Sequence, residues 1–273
     1  MAFKVTPKEK KSLEDFFKPI THRKMVLHLG LYGRAKKGKT HFCISSAKYM
    51  LDNNINGMVY VIDTEGDFEV NLSTWSVEVQ NKVRTFNAVE YLDKKEKKID
   101  LVKSLLKLED ALDLLIDRIN QENENSEEPM HNIIIVDSGS DVWEWLSMWL
   151  ETIETKRSPK DGSMMQTEWG KANKKYAEYM ALLFSSNCHL VMTFRAHQAF
   201  DGATPLKYDL PKWQKRTDFK LNCLMESKKM GNEYWFYYKG GRFGDISETE
   251  PMVNLTFGDL LNKLSTYSSL EFV

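Results

Sequence analysis

A chain of 273 residues that is 42% hydrophobic and 28% charged has enough apolar mass for one full core, and its formal net charge of -1 gives it no global basic field. Any nucleic-acid contact must therefore come from local patches. Three separated cysteines, Cys43, Cys188 and Cys223, form no CxxC pair, which argues against a disulfide framework or a cysteine metal site and suits a reducing compartment. The opening stretch MAFKVTPKEKKSLEDFF carries lysines with no apolar run behind them, and no stretch approaches roughly 18 apolar residues. Neither a signal peptide nor a membrane span is expected, and the setting expected is intracellular and cytoplasmic.

In chain order, residues 1–23 read as an N-terminal arm with a short helix at KKSLEDFFKPI. MVLHLGLY (25–32) is an apolar run with the length of a buried strand, and it leads into the loop GRAKKGKT (33–40) and a helix from HFCISSAKYMLDN. GMVYVID (57–63) is a second strand and KVRTFNAV a third. Leu101, Leu105, Leu108, Leu112, Leu115 and Ile119 recur at spacings of four and three and predict a long helix over 99–124. After the polar QENENSEEP comes HNIIIVDS (131–138), an apolar strand, then helices near 139–155 and 168–186 separated by TKRSPKDGSMMQ. CHLVMTF (188–194) is a strand, 199–216 a loop, EYWFYYKGGR a late strand ending in a glycine turn, and FGDLLNKLSTYSSLEFV a short closing helix. This alternation predicts an α/β fold with a mainly parallel central sheet flanked by helices. It divides into the arm 1–23, a core 24–245 and a C-terminal extension 246–273.

GRAKKGKT has the spacing of a Walker A phosphate loop. Gly33 and Gly38 let the backbone of Gly33, Arg34, Ala35, Lys36, Lys37 and Gly38 curl so that successive N–H groups face phosphate oxygens. Lys39 reaches the outer phosphates, the Thr40 hydroxyl ligates Mg²⁺, and His41 follows at the helix start. Asp137 ends the strand IIIVD in the manner of a Walker B carboxylate, the second Mg²⁺ group. VYVIDTEGDFE places Asp63, Glu65 and Asp67 just past the second strand, where a carboxylate can activate the water that attacks a terminal phosphate. His28 and His41 flank the loop and read as packing or stacking groups, as do Trp143 and Trp145.

The IDTEG and IIIVDSGSDVWEW segments resemble those of the RecA/RadA recombinase family, and the resemblance implies a RecA-like P-loop core over roughly 24–245 that uses ATP and Mg²⁺, with Glu65 as catalytic base. The layout EWGKANKKYAEYMALLFSSNCHLVMTFRAH, with Trp169, Gly170, Thr193 and Arg195, is similar to compact phage and archaeal-virus ATPases that include the Sak-type single-strand annealing proteins. RadA-type proteins end the sensor strand in a Thr-Asn-Gln-like triplet. Here TFRAHQ leaves Arg195, His197 or Gln198 for γ-phosphate sensing, and the arm is shorter than RadA's extra DNA-binding domain.

The resemblance further implies DNA contacts after the Walker B helix and after the sensor strand. The first candidate segment offers Lys156, Arg157 and Lys160; the second interleaves Lys207, Lys212, Lys215, Arg216 and Lys220 with Tyr208, Trp213 and Phe219. A homo-oligomer with active sites at subunit interfaces would draw its trans cation from Lys239 or Arg242. The function expected is a Mg²⁺-dependent, DNA-stimulated ATPase acting on single-stranded DNA in annealing, recombination or replication support, together with proteins of those processes. The alternative is a nucleotide-dependent switch or assembly ATPase with a protein partner, a use known among KaiC-like relatives. A small-molecule kinase fits least, because no acceptor lid is evident.

Overall fold

The computed structural model describes residues 25–267 except 94, 97, 128–129, 157–164, 166, 215–216, 218–219 and 244–245. The arm and its short helix, and the candidate DNA residues Arg157, Lys160, Lys215, Arg216 and Phe219, lie outside the described residues.

Strand β1 (His28–Gly33) runs into helix α1 (Lys39–Asp52). Strand β2 (Val59–Asp63), the short helices α2 (Phe68–Leu72) and α3 (Val77–Asn81) and strand β3 (Val83–Asn87) follow. A small ribbon, β4 (Tyr91–Asp93) with β5 (Lys98–Ile99), precedes the long helix α4 (Leu101–Asn125), whose first turn is capped by the Asp100 carboxylate accepting from Lys103 N–H. Then come β6 (Ile133–Asp137), α5 (Gly139–Trp149) with a wider last turn over Leu150–Glu154, and α6 (Trp169–Ser185). The remainder is β7 (His189–Asp201), β8 (Thr204–Pro211), β9 (Cys223–Met230), β10 (Glu233–Gly241), β11 (Met252–Val253) and α7 (Phe257–Tyr267).

The sheet order is β11-β10-β9-β1-β7-β6-β2-β3. From β9 to β3 all neighbours are parallel, and β10 and β11 close the other edge antiparallel. The expected α/β fold with a mainly parallel sheet flanked by helices is therefore what the chain forms. Helices on both faces explain the uninterrupted apolar run of β6: Ile133 and Ile135 join one core with Phe42, Ile44 and Met50 of α1, while Ile134 and Val136 join a second with Leu105, Leu108 and Leu112 of α4 and Trp145 of α5.

One expectation needs correction, and two further features went unread. Cys223–Met230 is a strand paired directly to β1, although CLMESKKM carries no clear apolar pattern. Residues 199–211 are not a loop, because β7 continues past the sheet and turns back as β8 in an antiparallel hairpin. The segment expected as a C-terminal extension packs inward: Phe257, Leu260, Leu261 and Leu264 of α7 join the α1 core, and Phe257 N–H donates to Ser45 Oγ at 2.8 Å.

Candidate functional site

Four parallel strands, β1, β2, β6 and β7, end side by side, and their carboxyl ends carry Gly33, Asp63, Asp137 and, on β7, Thr193 and Arg195. In an open parallel sheet this edge is where loops diverge and leave a crevice for ligand. The loop from β1 to α1 lines a cavity of about 680 Å³ with Arg34 through His41, Glu65, Asp67, Asn71, Arg195, Ala196, Lys229 and Tyr234. Sequence spacing brought the phosphate loop into consideration and the family resemblance Glu65 and Arg195, and the fold places all of them on one cavity.

The loop geometry requires its glycines. Gly38 sits at φ 86°, and a Cβ there would meet the Tyr234 ring at 2.6 Å. Gly33 lies so close to Ser227 of β9 that a side chain has no room. Lys39 Nζ donates to Gly33 O at 3.0 Å and Arg34 O at 3.1 Å, so the ammonium is folded under its own loop. Burial lowers its pKa, against the pull of Asp137 and Glu65.

Thr40 Oγ1 donates to Asp137 Oδ2 at 2.9 Å, and Thr193 Oγ1 donates to the other carboxylate oxygen. Asp137 is buried, and that burial raises its pKa while the two hydroxyls and Lys39 lower it. A hydroxyl and a carboxylate in contact at the mouth of a phosphate loop are the oxygen donors Mg²⁺ takes from protein when substrate phosphates and waters complete its shell. Among the described residues there is no cluster of three or more His, Cys, Asp or Glu able to hold a metal by itself. The donors present fit a metal shared with a nucleotide.

The DTEG loop is built to present Glu65. Asp63 accepts N–H bonds from Glu65 at 3.0 Å, Gly66 at 2.7 Å and Phe68 at 3.0 Å, so it organises the turn instead of facing substrate. Burial pushes its carboxyl up to about 6, against those three N–H groups. Thr64 ties β2 to β6 by donating to Ser138 O at 2.8 Å and accepting from Ser138 N–H at 2.6 Å. Glu65 is exposed to the cavity yet ringed by protein. That desolvation, with Asp137 and Asp141 nearby, pushes its carboxyl up to about 7. Of the three acids in the motif, Glu65 and Asp67 line the cavity, and Glu65 has the value of a base poised near neutrality.

Arg195 enters from β7. Its Nη2 donates to Asp141 and, at 3.2 Å, to Glu144, its N–H donates to Ser140 Oγ at 2.9 Å, and its Nε is buried without a hydrogen-bond partner. An orphaned guanidinium N–H beside a phosphate loop is a donor awaiting an anion. The other sensor candidates lie elsewhere. Gln198 Nε2 donates to Leu206 O at 3.2 Å within the hairpin, and His197 lines a separate cleft with Tyr208 and Trp213. Both sit past the point where β7 leaves the sheet, so this structure does not bring them to the cavity.

The candidate DNA residues divide. Lys156 is exposed at the end of the α5 extension. Lys207 and Tyr208 are exposed on β8, and Lys212 at the hairpin foot pairs with Glu144 at 3.2 Å. Trp213 is half-buried and packs edge-on against Phe194 with centroids 5.0 Å apart, which corrects its reading as a free stacking surface. Lys220 covers the Phe184 ring near the amino ends of the strands. Lys239 pairs with buried Glu226 at 3.3 Å, and Arg242 N–H donates to Asn222 O at the amino edge of the sheet. Within one chain Arg242 is therefore at the opposite end from the phosphate loop.

Four cavity residues went unnoticed in sequence: Asn71, Ala196 and, from β9 and β10, Lys229 and Tyr234. Tyr234 lies under Lys229 (5.5 Å) and near His41 (6.2 Å, stacked), which also meets Trp75 at 4.8 Å. Only knowledge that β9 pairs with β1, and β10 with β9, would have found Lys229 and Tyr234. Trp145 is core, and Trp143 stacks with Trp169 at 5.9 Å, as packing groups should.

A family profile described as an AAA domain matches residues 26–223, the span from the start of β1 to the start of β9. No curated protein matches the chain. Among solved structures the chain is similar to the RadB recombinase, at 14% identity and a TM-score of 0.43 over 84% of each chain. No helix among the described residues is long and apolar enough to cross a membrane. With its phosphate loop, Walker B aspartate and parallel sheet assembled at one cavity, the chain belongs to the AAA-domain family of nucleotide-binding ATPases.

Proposed function

We propose that the protein is a Mg²⁺-dependent, RecA-like ATPase that works on single-stranded DNA in annealing, recombination or replication support. The observation that carries the catalytic part is that Lys39, Thr40, Glu65 and Arg195 line one cavity at the carboxyl edge of the sheet, with buried Asp137 bonded to Thr40. Loop N–H groups from Gly33 to Thr40 and the start of α1 hold the phosphates. Thr40 and Asp137 would hold Mg²⁺, which when bound neutralises charge on the phosphates. Glu65 takes a proton from water as its oxygen attacks the terminal phosphorus, the bond to the leaving oxygen breaks, and ADP departs. Lys39 and Arg195 balance the charge that develops on the phosphoryl oxygens. His41 and Tyr234, beside Gly38 of the loop, offer flat surfaces on which the base would stack.

The DNA part rests on the exposed Lys207 and Tyr208 of the hairpin, on Lys212 at its foot and on exposed Lys156 after the α5 extension. Active sites at subunit interfaces of a homo-oligomer would bring Arg242 or Lys239 of a neighbouring copy to the phosphates. Recombination or replication proteins would be its partners, and a phage or archaeal-virus source suits its layout. The test is steady-state ATP hydrolysis with and without single-stranded DNA, for wild type and Lys39→Ala. Stimulation that vanishes in the variant supports the whole reading; Lys39-dependent hydrolysis indifferent to DNA removes the DNA part.

A second reading, a nucleotide-dependent switch with a protein partner, has its own support. Lys212 is already ion-paired and Trp213 is packed, while Phe200 and Leu210 leave the hairpin with exposed apolar surface.

A further inference from the structure

Arg34, the second residue of the phosphate loop, is held by a residue 175 positions away. Its Nε donates to Asp209 Oδ2 and its Nη2 to Asp209 Oδ1, both at 2.8 Å. Asp209 lies on β8, the returning leg of the hairpin, and the two bonds hold its carboxyl below the usual carboxylate range. The pair is lopsided: the Arg34 side chain is 60% exposed and Asp209 only 17%.

Arg34 stands at a boundary. It lines the nucleotide cavity and, with Lys37, the cleft of about 210 Å³ beside it, whereas Asp209 lines only that cleft and the one under the hairpin. The other leg reaches the same cavity through Arg195. Both feet of the hairpin are thus fastened by an arginine that faces the phosphate site. Beyond those feet β8 pairs only with β7 among the described residues, the register shifts between Gln198 and Phe200, and Phe200 is 59% exposed. Besides the β7 ladder, the β8 leg is tied at its foot, where Lys212 N–H donates to Arg195 O at 2.7 Å, Ser140 Oγ donates to Lys212 O at 2.5 Å and Lys212 Nζ pairs with Glu144 at 3.2 Å; along Thr204–Asp209 the ties other than β7 include the Arg34 fork on Asp209.

We propose that the Arg34–Asp209 pair is a nucleotide-sensitive latch, in which phosphates in the cavity compete with Asp209 for the Arg34 guanidinium and so release the β8 leg of the hairpin. The exchange is chemically even, because the guanidinium fork matches phosphate oxygens as well as a carboxylate. It is also energetically shallow, because an exposed ion pair contributes little by itself. The latch gives the nucleotide site a mechanical output at the surface where a partner, nucleic acid or protein, would dock. It rests on the nucleotide-binding reading.

Hydrogen exchange of the full chain, followed by mass spectrometry with and without ATPγS and Mg²⁺, tests it. Peptides covering 33–41 report nucleotide binding, and peptides covering 204–211 report the latch. In wild type the first set should slow and the second should speed up by about fivefold, the scale of one exposed bidentate pair. Asp209→Asn should exchange fast at 204–211 before nucleotide is added and respond no further. Arg34→Lys, which keeps the charge and loses the fork, should do the same. Protection of 133–137 in each variant verifies that the sheet is intact. Slowing at 33–41 with no change at 204–211, or Asp209→Asn behaving as wild type, overturns the latch while leaving nucleotide binding standing. No slowing at 33–41 overturns the nucleotide reading and the latch with it.

Discussion

Both ends of the parallel sheet carry buried polar side chains, yet they do different things. At the amino edge, Leu27 N–H donates to His189 Nδ1 at 2.8 Å, His28 N–H to Asn222 Oδ1 at 2.7 Å, and Asn222 Nδ2 to Val26 O at 2.8 Å. These side chains stitch strand starts together by answering backbone groups. At the carboxyl edge, Lys39, Glu65 and Arg195 line one cavity and buried Asp137 is held by Thr40, while each edge leaves one buried side-chain atom unanswered, Arg195 Nε here and His28 Nε2 there. The lesson is that residue type does not mark the site. Histidine and asparagine at one end answer backbone groups, while at the other Lys39, Glu65, Asp137 and Arg195 gather around one phosphate loop.

The widest separation between the two ends should come from Asp137→Ala against Asn222→Ala. Loss of the buried carboxylate should cut ATP turnover about a thousandfold in a steady-state assay, the scale of losing a central electrostatic group. Asn222→Ala should instead cost about 1–3 kcal/mol in urea unfolding by stranding backbone groups of β1, with the KM for ATP unchanged. Equal turnover losses in both would erase the distinction. Next in size, Arg195→Ala should lower kcat about a hundredfold with ATP affinity nearly intact, if its charge acts on the phosphoryl oxygens as the transition state forms. A pure rise in KM would make Arg195 a binding group only.

The smallest effects are in pH dependence, where the two ends carry opposite signs. Glu65, raised to about 7, binds a proton more tightly in the folded chain than in the unfolded one, so its contribution falls as pH rises from about 4.5 to 7. Glu65→Gln should therefore raise Tm at pH 8 by about 2–4 °C, after allowance for solvent screening, and leave it unchanged at pH 5. His28, lowered to about 4 by burial, with His189 and Arg242 adding, resists protonation when folded. Its contribution is intact above about 6.5 and lost as pH falls toward 4. His28→Phe should flatten that acid limb in a Tm-versus-pH series and do nothing at pH 8. The same sign for both variants would contradict the assigned shifts.

How far the sequence could be read follows the range of each signal. The phosphate loop, the DTEG turn and the IIIVD strand were legible because their chemistry is local: spacing within a few residues dictates what the backbone must do. The sheet's parallel order was legible from strand–helix alternation. Strand β9 was not, because Glu226 and Ser227 are buried there and Glu226 is neutralised by Lys228 at 3.1 Å and Lys239 at 3.3 Å, so a core strand looks polar. The hairpin was not, because RAHQAFDGATPLKYDL stands largely in solvent, and the short alternation Leu206, Tyr208, Leu210 was too weak a signal beside its polar residues. Trp213 looked like a stacking group by composition and packs on Phe194 by topology. Tyr234 and Asp209 reach the phosphate loop only through contacts nearly 200 residues distant in sequence, beyond any periodicity.

The central claim is that the cavity built from GRAKKGKT, Glu65 and Asp137 hydrolyses ATP with Glu65 as base. Single-turnover hydrolysis of ATP by Glu65→Gln, with ATP affinity measured on the same preparation, addresses it most directly. The expected result is affinity close to wild type and a hydrolysis rate lower by about a hundredfold or more. A rate near that of wild type would mean that another group activates the water, and the assignment of this site's chemistry would be wrong.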